Sequence, residues 1–148
     1  MGATAKDFFS SQEQEDIKLA IMNAELDTSG EIRVHIENTV SGDILDRAAY
    51  IFKKLEMDKT IRRNGVLIYL ALKNRRFAII GDSGINQVVP GNFWDEIKSV
   101  MLNHFREGRF TDGLIEAINE TGLHLKKHFP YQKGDLNELS DDISFGKD

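Results

Sequence analysis

Val66-Leu67-Ile68-Tyr69-Leu70-Ala71-Leu72 is an apolar run without a break. A strand buried on both faces reads this way. The run is far too short to span a bilayer. Working outward, Lys73-Asn74-Arg75-Arg76 is a polar turn, and Phe77-Ala78-Ile79-Ile80 is a second β-prone run. These two strands are expected to pair as a hairpin. Upstream, residues 31–37 alternate. Ile32, Val34 and Ile36 point one way, while Glu31, Arg33, His35 and Glu37 point the other. That pattern predicts a half-buried strand. Between this strand and the apolar run, Asp43 heads a segment with Ile44, Leu45, Ala48, Ala49, Phe52 and Leu55 at helical spacing,. A helix between two strands makes them parallel partners joined by a right-handed crossover. Residues 58–64 are polar and read as the return loop.

Further out, Ser10 and Glu13 have the spacing of a capping box, and Ile17, Ala20, Ile21 and Ala24 follow on one helical face,. A helix is predicted over 11–26, broken by Asp27-Thr28-Ser29-Gly30. Residues 81–91 are rich in glycine and predict the longest irregular stretch. Asn92 is expected to cap a helix carrying Phe93, Ile97, Val100, Met101 and Phe105, ended by Gly108. Thr111 opens a last helix, with Leu114, Ile118, Leu125 and Phe129 inward, and Pro130 stops it,. Trp94 reads as a core residue. The predicted fold is a three-layer α/β/α domain over 1–130, with a small mixed sheet (a βαβ crossover plus a β-hairpin) and about four helices. Residues 131–148 read as an acidic, mobile tail in which Phe145 is an anchor or a partner contact.

The chain has 148 residues, the length of one ordinary domain,. It has no cysteine, which excludes a disulfide framework, a thiolate zinc site and a cysteine nucleophile,. With 19 basic and 24 acidic residues the formal net charge is -5, against the basic face a general nucleic-acid binder needs,. The same charge suits cation binding. The first residues lack the charged-then-apolar pattern of a signal peptide. A soluble, cytoplasmic monomer with no membrane span is expected, one that engages a protein partner.

Four segments carry a family resemblance. Thr28-Ser29-Gly30-Glu31-Ile32-Arg33-Val34 is similar to the entry of the TPM domain into its first strand. Asn64-Gly65-Val66-Leu67-Ile68-Tyr69 is similar to that family's second strand, and Arg76 to Ile85 to its third strand and glycine loop. Phe105-Arg106-Glu107-Gly108-Arg109-Phe110-Thr111-Asp112-Gly113-Leu114 is similar to a fourth family segment. The resemblance implies a domain found in thylakoid-lumen proteins of photosystem II repair, in anchored bacterial proteins and in an animal receptor auxiliary protein. It also implies calcium or similar cations for some members and acid phosphatase activity for some plant members. This chain departs from the pattern at Arg109, where many relatives carry an acidic residue, and in lacking a glycine-rich tail.

Strand direction sorts the candidate residues. The first two strands start, and the third ends, at one edge of the sheet, which should gather Glu31, Asn64 and Asp82, with Asp27 just upstream. Carboxylate and amide oxygens suit hard cations. The expected site therefore binds calcium or magnesium through Asp82 as anchor, with Glu31, Asn86 and Asp112. Each has a plain structural reading: a turn for Asp82 and Ser83, and a solvated charge for Glu31. The opposite edge carries Glu37, Asn38, Asp43 and Asp46 with Lys73, Arg75 and Arg76, and reads as a solubilising rim. His35, His104, His124 and His128 read as surface or capping residues, although His124 and His128 have a metal-compatible spacing. No nucleophile elbow, P-loop or dinucleotide fingerprint is present,. Three functions follow: a cation-binding accessory module, a metal-dependent phosphatase, and an interaction domain without metal.

Overall fold

A computed structural model describes residues 4–131 and 138–146. The elements run α1 (Ala5–Phe8), α2 (Ser11–Ala24), β1 (Glu31–Glu37), α3 (Ile44–Lys54), a 3-10 turn (Met57–Lys59), β2 (Gly65–Ala71), β3 (Arg76–Gly81), α4 (Ser83–Asn86), α5 (Asp95–Arg106), α6 (Phe110–His128) and β4 (Ser144–Phe145). The sheet order is β3-β2-β1-β4. β1 lies parallel to β2 in the register Glu31↔Gly65 to Glu37↔Ala71, and β3 returns antiparallel to β2. The crossover and hairpin expected from the sequence are both present.

Two cores sandwich the sheet. On one face Ile32, Val34, Ile36, Val66, Ile68 and Leu70 pack with Ile17, Ile21, Ile97, Met101, Phe105, Leu114 and Ile118 from α2, α5 and α6. On the other, Leu67, Tyr69, Ala71 and Ala78 pack with Ile44, Ala48, Ile51 and Phe52 of α3. β2 therefore feeds both cores, which is why its sequence does not alternate. Trp94 is buried, as expected of a core residue. Among the described residues no helix is long and apolar enough to cross a membrane.

Several boundaries differ from the sequence reading. A short helix precedes the first predicted one, with Thr4 and Asp7 forming a capping box. The glycine loop is not irregular throughout, because Asp82 caps the short helix α4. Asn92 does not cap α5. That helix starts at Asp95 behind Trp94, and no side chain caps it. The polar face of β1 is not half-exposed either, since Glu31 and Glu37 are 2% and 3% exposed. The physical reason is a fourth strand. Of the tail, residues 138–146 dock on the sheet, and β4 pairs parallel with β1 at His35↔Ser144 and Ile36↔Phe145. The Gly146 amide adds a hydrogen bond to the Ile36 carbonyl at 2.9 Å. Phe145 packs against the core as an anchor. Tyr131 donates its amide to the Asp27 carbonyl at 3.0 Å, and residues 132–137 and 147–148 lie outside the described residues.

Candidate functional site

The starting edge of β1 and β2 brings together some of the expected residues. Glu31 opens β1 with its side chain buried, and its Oε1 accepts the Leu139 amide at 2.5 Å. Its Oε2 is buried and has no hydrogen-bond partner among the described residues. Burial pushes the Glu31 carboxyl up to about 7, helped by the negative charges of Glu138 and Asp141, while the amides of Leu139 and Glu138 pull it down,. Glu25, at the end of α2, accepts the Ile32 amide at 2.8 Å. Burial and a hydrogen bond with the Asp141 carboxyl push it up to about 10. Asn64 is buried beside this edge, and its Oδ1 is likewise unpartnered among the described residues. Two carboxyls raised together, with orphaned oxygens nearby, form a site that would gain from a cation.

Asp82 lies at the expected edge, its amide donating to the Gly65 carbonyl at 3.0 Å, but its carboxylate is already engaged. Arg63 grips it with Nε on Oδ2 at 2.8 Å and Nη2 on Oδ1 at 3.0 Å, and the Ser83 amide donates to Oδ1 at 2.7 Å. Its oxygens are spent on an ion pair and a helix cap, so a cation there has to displace an arginine. Asn86 turns its amide nitrogen to the Gly81 carbonyl at 3.0 Å. Asp112 is exposed in the first turn of α6. No hydrogen bond or ion pair among the described residues joins it to Glu31, Asp82 or Asn86. Asp27 is exposed and pairs with Lys126 at 3.6 Å. Among the described residues no group of three or more His, Asp or Glu side chains is already gathered as metal ligands.

A second site lies at the other end of β1. A cleft of about 560 Å³ runs between α3 and β4, floored by His35 and Glu37 and walled by Arg47, Ile51, Leu55 and Phe145. Glu37 is the hub of a buried polar network. It accepts Arg47 Nε at 3.1 Å and Nη2 at 2.6 Å, Tyr69 Oη at 2.5 Å, and His35 Nε2 at 3.1 Å. Burial alone would raise Glu37, but these donors outweigh it and hold its carboxyl at about 2. His35 is pushed down by burial, partly opposed by Glu37, and its Nδ1 lies 2.8 Å from Ser144 Oγ. The sequence reading left Glu37 on a solubilising rim and His35 on the surface, and it missed Arg47, Tyr69 and Ser144. The alternation of β1 did place His35 and Glu37 on one face. It gave no sign that β4 would close over that face.

Comparison with known proteins fits this architecture. The TPM domain family matches residues 4–122. The BA42 protein of the psychrophilic bacterium Bizionia argentinensis, solved by NMR, is 45% identical with a TM-score of 0.89, covering 94% of this chain and 96% of its own. Two more distant NMR structures share the fold alone. One is an N-terminal domain of a protein from P. gingivalis, with 20% identity, TM-score 0.69 and coverage of 82% and 78%. The other is the N-terminal domain of the Corynebacterium glutamicum protein cg2496, with 14% identity, TM-score 0.63 and coverage of 79% and 74%. No curated protein is recognisably similar to the chain. A mixed four-stranded sheet between helices defines the class as a small α/β domain. This chain belongs to the TPM domain family.

Proposed function

We propose that this TPM domain binds a divalent cation, calcium or magnesium, at the acidic end of β1 and serves as an accessory module for a protein partner. Glu31 is the anchor of this reading in place of Asp82. The observation that carries it is the buried Oε2 of Glu31, unpartnered among the described residues, on a carboxyl that feels the negative charges of Glu25, Glu138 and Asp141. A hard cation beside Glu31 and Glu25 adds positive charge to that of Arg33 and Lys18 near Asp141 and stabilises the ionised carboxylates,. Glu138 and Asp141 lie in the docked tail, so the cation also fastens the tail to β1. Asp82 and Asn86 join only if Arg63 lets go, and Asp112 stays out. The phosphatase alternative finds little support here, because the buried histidine, His35, sits at the opposite end of the strand.

Calcium, then magnesium, titrated into metal-stripped, isotope-labelled protein tests the reading through backbone amide shifts. Saturable shifts at Glu31, Ile32 and Leu139, absent in Glu31→Gln, are expected. Shifts centred on residues 81–86 instead would return the anchor to Asp82. Weak shifts scattered over all acidic residues would leave an interaction domain without metal.

A further inference from the structure

The cleft beside α3 holds a geometry that cation binding does not use. Glu37 is ionised and can only accept, so His35 Nε2 must carry the proton in their 3.1 Å contact,. In the neutral imidazole this leaves Nδ1 as an acceptor, so the Ser144 hydroxyl must donate to it across 2.8 Å,. A hydroxyl, an imidazole and a buried carboxylate are thus joined in one hydrogen-bonded line. Nucleophile and base lie within hydrogen-bond reach, with the base oriented by a third group, as nucleophilic catalysis requires. The order of the ring nitrogens is reversed relative to the usual serine hydrolase arrangement, but the roles are recognised by geometry rather than by position.

We propose that Ser144, His35 and Glu37 are nucleophile, general base and orienting carboxylate of an esterase site in this cleft, acting on small carboxylic esters with an apolar group. Ser144 Oγ attacks the ester carbonyl while His35 Nδ1 takes the hydroxyl proton. The carbonyl C–O bond to the alcohol then breaks, His35 returns the proton to the departing alcohol, and an acyl-serine remains. Water, deprotonated by His35, attacks the acyl carbon and releases the acid, and the proton goes back to Ser144. No oxidant, metal or other co-reactant is needed. Arg47 gives two of its N–H groups to Glu37 and borders the same cavity, and its assigned role is to stabilise the oxygen that becomes negative,. Val40, Ile51, Leu55 and Phe145 supply the apolar wall. His35 is 5% exposed, shielded by Tyr69 stacked at 5.9 Å between ring centres, which keeps the base neutral and free to accept. Gly146, two residues after the nucleophile, packs directly against the orienting carboxylate, since a Cβ there would meet Glu37 Cγ at 2.5 Å.

The test is covalent labelling of the full chain with an alkyl fluorophosphonate in excess chelator, read by intact mass and peptide mapping, alongside turnover of p-nitrophenyl butyrate. One adduct per chain on Ser144 is expected, absent in Ser144→Ala and retained in Ser140→Ala. His35→Gln should slow labelling and turnover at least about a hundredfold, the usual contribution of a positioned base. Absence of an adduct at Ser144, or labelling that His35→Gln leaves unchanged, overturns the proposal and makes the pair a cross-strand stitch holding β4. If the amide spectrum shows that His35→Gln unfolds, Ser144→Ala decides alone. Turnover that survives it refutes the site, and turnover lost with the fold intact supports it.

Discussion

Two glutamates on one strand, Glu31 and Glu37, show how little a residue's type says about its charge. Both are buried, and both point to the same side of β1. Glu37 meets three donor side chains and stays ionised, while Glu31 meets two backbone amides and other acids and is pushed toward its neutral form. Tyr69→Phe should therefore destabilise the fold by about 2 kcal/mol in urea unfolding, the cost of removing a hydrogen bond to a buried charge. Glu31→Gln copies the protonated form without its titration. In metal-free buffer at pH 8 it should raise stability by up to roughly 3 kcal/mol, the displacement from 4.5 to about 7 taken at about 1.4 kcal/mol per unit,. The sequence told that these two side chains share a face. It did not tell that the face is covered, because the cover comes from residues more than a hundred positions away.

Elements with strong periodicity were legible and short ones were not. β1, β2, β3, α3 and α6 could be read from alternation, unbroken apolarity or helical spacing. A strand of two residues and a helix of four have no period to read. The loop after β3 shows what replaces periodicity there. A Cβ at Gly84 would come within 2.6 Å of the Arg63 carbonyl oxygen and would also crowd that of Arg62. Gly84 also donates its amide to the Arg63 carbonyl at 2.8 Å. Glycine at this position lets α4 lie against the loop that carries Arg63, and so holds Arg63 over Asp82. Gly84→Ala has only backbone to push against and should cost about 2 to 3 kcal/mol. Its amide spectrum should change most at Arg63 and Asp82. A variant as stable as the parent would mean that this loop yields freely.

At the scale of the whole molecule the buried acids and His35 set the pH range. Glu37, held below its ordinary value of 4.5, contributes stability that is present above that value and lost as pH falls toward 2,. His35, held below 6.5, adds stability above 6.5 that fades as pH falls toward its folded value. Glu31 and Glu25 act in the opposite sense. Their contribution is complete below 4.5 and is lost as pH rises through about 7 and then about 10. Two raised glutamates outweigh one lowered histidine above pH 4.5, so metal-free protein should melt highest near pH 4.5 and lower on both sides,. Saturating calcium should recover part of the loss at pH 8 but none at pH 3. A melting temperature flat from pH 6 to 9 would contradict the buried acid pair. The fold class was legible as a whole, because one helix between two strands dictates a parallel crossover. The sites were not, because both are completed by the docked tail.

The pairing of β4 with β1 also fixes an order of events. Ser144 and His35 are 109 positions apart, and closing a chain loop of that length costs roughly 4 kcal/mol in entropy. A strand of two residues cannot offset that cost against an unformed sheet. β4 therefore docks after β1, β2 and α3 have assembled, so the cleft is the last part of the molecule to be finished during folding. By the same reasoning it is the first to open. In native-state hydrogen exchange the Gly146 and Leu139 amides should lose protection together, well before those of β2.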